Sequence, residues 1–355
     1  MTLRRCKIIV SVFIAFLLVS CAHHDMQLIL PPEICCSPYT ETSVYYENIL
    51  HGFDNEDCTF RFSPELGAGD SIKYTFNIKG RKSRNYNLTI NAFNKAGTKT
   101  GKGKTKVCYT VADKKLSDTL NVLMTGNSLT NAGIYATSVK KLCQDNMHYP
   151  IHFIGTKEAK GGGIHEGYGG KTWEWFSNNF ESPFVFHLSG SDTTLNFKHY
   201  FENVVKYTPD FVVIELGIND CFRADTTSVE AIDKSIDEMF MHTEYYLTQL
   251  IHYNSNIQIG ICLTPAPNKR KEAFYANYGE KYTQTGWTKI HRRLNQRYIE
   301  YFDNNFQSNC SIIPLDLHID TYNSYPLDNG VHPNKDGYQQ IASCIFNWLI
   351  NKIYE

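Results

Sequence analysis

The sequence predicts an α/β protein in two parts: a small all-β sandwich over residues 38–116, then a three-layer α/β/α domain with a parallel sheet over residues 117–355. Short alternating segments separated by turn residues predict the first part, and apolar strands that alternate with helical patterns predict the second. Apolar residues make up 42% of the chain and charged residues 20%, a balance that is typical of a globular protein and not of a disordered one.

The first part is predicted to consist of short strands. They are expected at residues 43–46, 59–62, 71–78, 85–91 and 106–111. Tyr86 to Ala92 alternates polar and apolar residues, as a half-buried strand does, and residues 94–104 are rich in Gly, Asn and Lys, which indicates a hairpin turn. This spacing favours an Ig-like sandwich without catalytic residues, serving as a spacer or as a docking wall beside the active site.

The second part alternates strands with helices. Strands are predicted at residues 121–124, 151–154, 211–216, 257–263 and 311–315, and helices at about 132–144, 229–251, 288–302 and 334–353. Phe211 to Leu216 is an almost continuous apolar run, as buried parallel strands show. In such sheets, functional residues lie in the loops at the carboxyl ends of the strands.

The N-terminus is predicted to be a lipoprotein signal peptide, residues 1–20, followed by a tether, residues 21–37. A positive start precedes the apolar run 8–19, which is too short to span a bilayer. The run ends in Leu18-Val19-Ser20-Cys21, which resembles a bacterial lipobox, in which the Cys is lipidated and becomes the new N-terminus. We therefore expect a protein of the bacterial cell envelope that is anchored through Cys21, or a secreted one if the segment is an ordinary signal.

Charge and cysteine content restrict the partners. The formal net charge of −1 argues against nucleic acid as the main partner, because phosphate binding needs a cationic excess or patch. Eleven cysteines are present, and nine remain without Cys6 in the signal and Cys21 at the anchor. No C-x-x-C pair with zinc-finger spacing and no H-E-x-x-H motif occurs, so we expect no metal and no cofactor. Disulfide pairing and oligomeric state cannot be predicted from the sequence.

Four polar motifs fall at predicted strand ends or in the last loop. They are Gly126-Asn127-Ser128-Leu129-Thr130, Gly169-Gly170-Lys171, Gly217-Ile218-Asn219-Asp220 and Asp328-Asn329-Gly330-Val331-His332-Pro333-Asn334. A Ser at a strand-to-helix turn exposes its hydroxyl, and the helix N-terminus beside it favours an anion. Each motif alone is common, but all four in this order are a much stronger signal.

In these motifs the sequence resembles the SGNH, or GDSL-type, hydrolase family over about residues 120–350. The resemblance implies a flavodoxin-like domain in which Ser128 is the nucleophile and His332 the general base. It also implies an oxyanion hole made by the N–H groups of Ser128 and Gly170 and the side-chain amide of Asn219. A Ser hydroxyl needs an imidazole to take its proton, and donors aimed at the oxyanion stabilise the transition state.

Two residues depart from the family pattern. Asn127 stands where the family usually has Asp, and an Asn can still hold the turn by bonding to the backbone. Asn329, not Asp, precedes His332 by three residues, and Asp328 lies one position further away. Three arrangements are open: Asp328 orients His332 across a one-residue bulge, Asn329 orients it through its amide oxygen, or a backbone carbonyl supports a Ser-His dyad. We favour Asp328, because it alone keeps a negative charge beside the developing imidazolium.

The expected substrate is an acetylated glycan or another small ester. Tyr168 and Trp173, with Trp175, lie around the Gly170 loop and could stack on sugar faces, although both Trp residues could equally begin a helix and pack inward. The sequence most resembles secreted carbohydrate acetylesterases with an N-terminal β-sandwich, which implies a serine esterase that removes O-acetyl groups.

Other functions stay open at this point. One is a surface lipoprotein that binds glycans and no longer hydrolyses them, which the departures at Asn127 and Asn329 would favour. Another is an esterase that acts on lipid or peptidoglycan esters. A glycosidase or metal hydrolase is disfavoured, because neither a carboxylate pair nor metal-ligand spacing is evident.

Overall fold

The computed structural model describes residues 26–49, 58–78, 80, 82–114, 118–147, 150–189, 192–305 and 309–355. The predicted signal peptide, residues 1–20, and the predicted lipidation site Cys21 lie outside the described residues. Among the helices that the structure describes, none is long and apolar enough to cross a membrane.

Two small sheets form the N-terminal all-β region. Its strands are β1 (Met26–Gln27), β2 (Glu33–Cys36), β3 (Ser43–Tyr45), β4 (Thr59–Ser63), β5 (Gly67–Gly69), β6 (Lys73–Phe76), β7 (Arg84–Phe93) and β8 (Lys99–Tyr109). One sheet has the order β1-β8-β7-β4, with β2 also paired to β8, and the other has the order β3-β6-β5. Val44 and Tyr74 of the small sheet share a buried core with Leu88, Ile90 and Val107 of the larger one, as the alternating pattern of a sandwich predicts.

This sheet begins earlier in the chain than predicted. Glu33–Cys36 pairs in parallel with Lys106–Tyr109 at the edge of the larger sheet, so part of the predicted tether 21–37 is strand. Pro31 and Pro32 immediately before it obscure the pattern in the sequence, since Pro is depleted in strands. The predicted turn 94–104 is also shorter, because β8 already begins at Lys99.

The C-terminal region alternates strands and helices. In chain order its elements are β9 (Leu120–Gly126), α1 (Ser128–Asn131), α2 (Ile134–Asn146), β10 (Ile151–Ile154), β11 (Lys157–Glu158), β12 (Ile164–Gly167), α3 (Trp173–Asn178), β13 (Val185–Ser189), β14 (Asp192–Leu195), α4 (Phe197–His199), β15 (Phe211–Glu215), α5 (Ile218–Cys221), α6 (Val229–Tyr253), β16 (Gln258–Cys262), α7 (Lys271–Tyr278), α8 (Gln284–Asn305), β17 (Cys310–Ile313) and α9 (Lys335–Tyr354). The predicted α/β class and its parallel sheet are confirmed.

The main sheet has the order β11-β12-β9-β15-β16-β17, and β10 pairs with the first half of β9. All of these pairings are parallel except that of β11 with β12. Strands β10 and β12 pair with the same side of β9, β10 with its first half and β12 with its last two residues. The short β11 hairpin lies between them in the chain. Strand order therefore reverses at β9, and the crevice at such a switch point is where open α/β sheets bind ligands.

Helices cover both faces of this sheet. Val122 and Val213 pack with Val139 of α2 and Ile345 of α9 in one buried cluster. Their strand neighbours Leu123, Val212 and Ile214 point to the opposite face, where they join α3, α6 and α8. Because successive strand residues face opposite sides, an apolar run in each strand fills both cores at once. The result is the predicted three-layer arrangement.

The N-terminal region packs on α9 and on the 3₁₀ turn Leu315–His318 that precedes it. Lys352 of α9 lies 2.8 Å from the Glu33 carboxylate, and Asn347 of α9 accepts a 2.6 Å hydrogen bond from Ser37. Leu317 of the turn belongs to the apolar core of the N-terminal sheets. This contact holds the first region against the outer helix layer.

Candidate active site

Three neighbouring strands end at the same level. Gly126 at the end of β9 is paired with Gly167 at the end of β12 and with Glu215 at the end of β15. The loops that follow carry Ser128, Gly170 and Asn219, and all three residues line one cavity. The structure therefore brings these three predicted residues to one edge of the sheet, as the parallel topology requires.

Ser128 is the first residue of α1. Asn127 caps this short helix, because its side-chain oxygen accepts a 2.9 Å hydrogen bond from the backbone N–H of Leu129. The N–H of Ser128, as the first of the helix, has no intrahelical acceptor. Asn127 thus holds the turn through backbone bonding, as its sequence position predicts.

The amide of Asn127 also bonds to a buried carboxyl. Its Nδ2 donates to Glu215 Oε1 at 3.2 Å, and burial raises the pKa of Glu215 to about 8. An ionised Asp at residue 127 would have no proton to donate and would repel an ionised Glu215. An Asn at this position is therefore compatible with a glutamate at the end of β15.

His332 faces the nucleophile. Its Nε2 lies 2.9 Å from Ser128 Oγ, a distance at which an imidazole can take the hydroxyl proton. The loop that carries it is held by the buried Asn268, whose backbone N–H and side-chain amide donate to the carbonyl oxygens of Gly330 and Asn329 at 2.9 and 3.0 Å. Sequence analysis missed Asn268, because its role depends on contacts across the fold.

The structure does not bring Asp328 to His332. Asp328 is exposed, and Ser128 is the only side-chain partner of the imidazole in the part of the chain that the structure describes. Asn329 does not face the ring either, because its Oδ1 accepts from the backbone N–H groups of Val331 and His332 at 3.1 and 2.9 Å. The preference for Asp328 is therefore not supported. The backbone turn directs Asp328 outward, and within the described residues no carboxylate, amide or backbone carbonyl forms a hydrogen bond with Nδ1 of His332.

Burial of the imidazole lowers the pKa of His332. A carboxylate facing the ring would have the opposite effect. Since a general base works in its neutral form, we expect kcat/KM for ester hydrolysis to rise with pH through an ionisation below the ordinary His value of about 6.5. Asp328→Asn should leave that midpoint in place and change kcat by no more than about twofold, as exposed substitutions do.

A pH series of kcat and kcat/KM for the wild type and Asp328→Asn measures the midpoint and the rate. Asp336→Asn is the control, because Asp336 is also an exposed acid nearby. A midpoint above 6.5 that falls in Asp328→Asn, together with a loss of kcat of several decades, would assign Asp328 as the orienting group.

Gly170 and Asn219 line the same cavity as the nucleophile. Gly170 has φ of +73°, a left-handed conformation that L side chains rarely adopt, and no atom lies within 4 Å of a Cβ built there. Asn219 Nδ2 donates to the carbonyl oxygen of Lys171 at 3.0 Å, which ties this loop to the end of β15. Only one of its two amide hydrogens is used within the described residues, and the second can serve an oxyanion.

The cavity at these residues has a volume of about 540 Å³. Its lining comprises Asn127, Ser128, Leu129, Gly170, Ile218, Asn219, Phe222, Arg223, Thr264, Pro265, Pro267, Asn277, Tyr278, Lys281, Tyr282, Trp287, Val331 and His332. Every one of these residues belongs to the α/β region, and none of the described residues of the N-terminal sheets lines the cavity. The expectation of a docking wall beside the active site is therefore wrong for this cavity.

The predicted substrate-binding residues Tyr168 and Trp173 do not line the cavity. Trp173 is 0% exposed at the start of α3, and its indole N–H donates to the Tyr298 hydroxyl at 2.8 Å. Tyr168 is half-buried and donates to Glu166 Oε2 at 2.9 Å. Both predictions are wrong. The helix that starts at residue 173 turns its first ring into the core, and the hydroxyl of Tyr168 is held by the buried Glu166. The alternative in which Trp173 packs inward is the one observed.

A different aromatic wall bounds the cavity. The Trp287 ring lies nearly parallel to Tyr278, with centroids 6.0 Å apart, and 5.3 Å from Phe222. Tyr282 lies 5.1 Å from Phe222 and completes the wall. The aromatic-rich stretch 274–287 after β16 was the available sequence signal, but only the packing of α7 against α8 brings it to the nucleophile.

The described residues include no group of three or more His, Cys, Asp or Glu side chains that could hold a metal ion. The nine cysteines that they include carry free thiols. The polar groups at the cavity include those of Ser128 and His332, the surrounding amides and cations, and the hydroxyls of Thr264, Tyr278 and Tyr282.

Comparison with known proteins gives the family. The model of the GDSL-like lipase/acylhydrolase family matches residues 159–340. No curated protein sequence matches the chain. Similar solved structures include an acetyl esterase mutant with acetate ion, at 17% identity and TM-score 0.44, covering 66% of this chain and 98% of that one.

A carbohydrate esterase family 3 protein from Talaromyces cellulolyticus is similar at 17% identity and TM-score 0.43, over 66% of this chain and 98% of its own. A carbohydrate acetylesterase from Sinorhizobium meliloti is similar at 13% identity and TM-score 0.38, over 65% and 98%. The family match spans just over half of the residues and includes Gly170, Asn219 and His332. This chain belongs to the GDSL-like lipase/acylhydrolase family.

Proposed function

We propose that this protein is a serine esterase that removes acetyl or other short acyl groups from a carbohydrate. The observation that carries the proposal is the 2.9 Å contact between Ser128 Oγ and His332 Nε2 at a cavity walled by aromatic rings. Family membership supports ester hydrolysis.

The site supports an acyl-enzyme mechanism. His332 takes the hydroxyl proton as Ser128 Oγ attacks the ester carbonyl carbon, and the carbonyl oxygen becomes an oxyanion. The N–H groups of Ser128 and Gly170 and the free N–H of Asn219 would stabilise that charge. Protonated His332 then gives its proton to the departing sugar hydroxyl. A water molecule, deprotonated by His332, hydrolyses the acyl-enzyme and releases acetate and free Ser128.

The aromatic wall favours a carbohydrate over a long acyl chain. Phe222, Tyr278, Tyr282 and Trp287 line the cavity that holds Ser128, and aromatic rings can bury the apolar faces of sugars while hydroxyl groups bond at their margins. The polar part of the lining includes the exposed Asn277, whose amide can bond the hydroxyl groups of a sugar leaving group.

Acetate release tests the proposal. We expect purified protein to hydrolyse p-nitrophenyl acetate faster than p-nitrophenyl octanoate, and to release acetate from at least one of acetylated xylan, acetylated pectin and mucin. Ser128→Ala provides the inactive control. A protein that binds an acetylated glycan but releases no acetate from any of these substrates would instead be the degenerate glycan-binding lipoprotein.

We further propose that the protein is lipid-anchored in a bacterial cell envelope through Cys21. The lipobox-like sequence 18–21 supports this, since a diacylated Cys provides two chains and hence stable anchoring. Cys21→Ala should move the protein from the detergent-extractable membrane fraction to the soluble fraction, and Cys58→Ala should not. If the Cys21→Ala protein remained in the membrane fraction, Cys21 would not be the anchor.

A further inference from the structure

Two exposed cations, Arg223 and Lys281, line the cavity of the nucleophile. We propose that the glycan substrate is anionic, and that these two side chains bind a carboxylate or sulfate on the ester-bearing sugar or on its neighbour. This inference rests on the proposed function and specifies its substrate class.

The aromatic wall places both cations on one side of the cavity. The Arg223 guanidinium lies 5.0 Å from the centroid of the Phe222 ring, and Lys281 Nζ lies 5.3 Å from that of Tyr282. These two rings contact each other at 5.1 Å between centroids. Cation–π contacts of this length restrain the side chains against the wall, so a sugar packed on the rings meets both positive charges.

Both charges are unpaired in the part of the chain that the structure describes. Neither Arg223 nor Lys281 forms an ion pair there, in contrast to Arg293 and Arg297, which bind Asp233 at 2.6 and 3.2 Å. The cavity lining contains no Asp or Glu at all. Two cations beside a cavity without carboxylates produce a positive potential that attracts an anionic substrate. A neutral glycan would leave both charges without a partner.

The geometry also suits the chemistry of an acidic sugar. A carboxylate or sulfate can accept two hydrogen bonds from the planar guanidinium of Arg223 and a third from the ammonium of Lys281. The sugar ring that carries it can then contact Phe222 or Tyr282, which line the same cavity as Ser128. Anion binding at the wall would thus orient the acyl ester toward the nucleophile.

Matched polymers test this inference. Acetate release is measured as kcat/KM on acetylated polygalacturonate and its methyl-esterified, neutral form, and on acetylated dextran sulfate and acetylated dextran. We expect the wild type to prefer the charged member of at least one pair; the pair that shows the preference identifies the anion as carboxylate or sulfate. The preference should decline as salt rises, because screening weakens exposed charges.

Variants assign the preference to the two cations. Arg223→Gln and Lys281→Gln should each lower the charged-to-neutral ratio of kcat/KM by roughly two- to fivefold, the effect of one exposed ion pair. Lys234→Gln, an exposed cation on α6 outside the cavity, should keep the wild-type ratio.

Equal rates on both members of each pair, or a preference that persists when Arg223→Gln and Lys281→Gln are combined in one protein, would overturn the inference and leave the esterase proposal standing. If the protein hydrolysed neither p-nitrophenyl acetate nor any of the four polymers, both the anionic-substrate inference and the esterase proposal would be wrong.

Discussion

Replacement of Ser128 by alanine is expected to lower kcat for acetate release by several decades, on the order of 10⁴ to 10⁶. The hydroxyl supplies the only nucleophile within hydrogen-bond distance of His332 in the described residues, at 2.9 Å. Without it, His332 can only activate water, and the oxyanion donors keep a small residual rate. Half-buried Ser128 makes no other side-chain hydrogen bond there, so its loss should not disturb folding.

The measurement is steady-state hydrolysis of p-nitrophenyl acetate, with the melting temperature recorded for each protein. Ser255→Ala is the matched control, because Ser255 is exposed in the loop before β16 and lies outside the cavity. Retention of more than about a tenth of the wild-type kcat by Ser128→Ala, with an unchanged melting temperature, would show that another group is the nucleophile.

The positions of Ser128, Gly170 and Asn219 could be predicted because they follow from topology. Ser128 and Asn219 come directly after apolar strands, and Gly170 follows the second predicted strand through a Gly-rich loop. Parallel strands with helical crossovers end at one edge of a sheet. The pairing of Gly126 with Gly167 and Glu215 realises this expectation. Sequence could not show that the strand before Gly170 is split, since the β11 hairpin separates Ile151–Ile154 from Ile164–Gly167.

The substrate wall and the His332 loop could not be predicted in the same way. They depend on side-chain directions and on contacts between distant segments. Trp173 looked available beside Gly170, yet its helix turns it toward Tyr298, 125 residues later in the chain. Asp328 looked close to His332, yet bonds from Asn268 and Asn329 determine the backbone course of that loop. Spacing along the chain contains neither kind of information.

Asn219→Ala is expected to lower kcat by about 10²- to 10³-fold while KM changes little. In the proposed mechanism the free amide hydrogen of Asn219 bonds the oxyanion, which exists in the transition state and not in the bound ester, so its loss removes transition-state binding alone. The other amide hydrogen bonds the carbonyl oxygen of Lys171 at 3.0 Å. A role limited to holding that loop would displace Gly170 and weaken substrate binding as well.

Separate measurements of kcat and KM therefore decide whether Asn219 binds the oxyanion or only holds the Gly170 loop. Both constants are measured on p-nitrophenyl acetate for the wild type, Asn219→Ala and the control Asn256→Ala, whose side chain is exposed in the loop after α6. Asn219→Asp is a second variant: its carboxylate cannot donate to an oxyanion and would repel it, so it should be at least as slow as Asn219→Ala. A rise in KM with kcat preserved would remove Asn219 from the oxyanion hole and leave it as a residue that positions the Gly170 loop. Activity restored in Asn219→Asp would show that neither amide hydrogen bond is needed, because a carboxylate donates to neither acceptor.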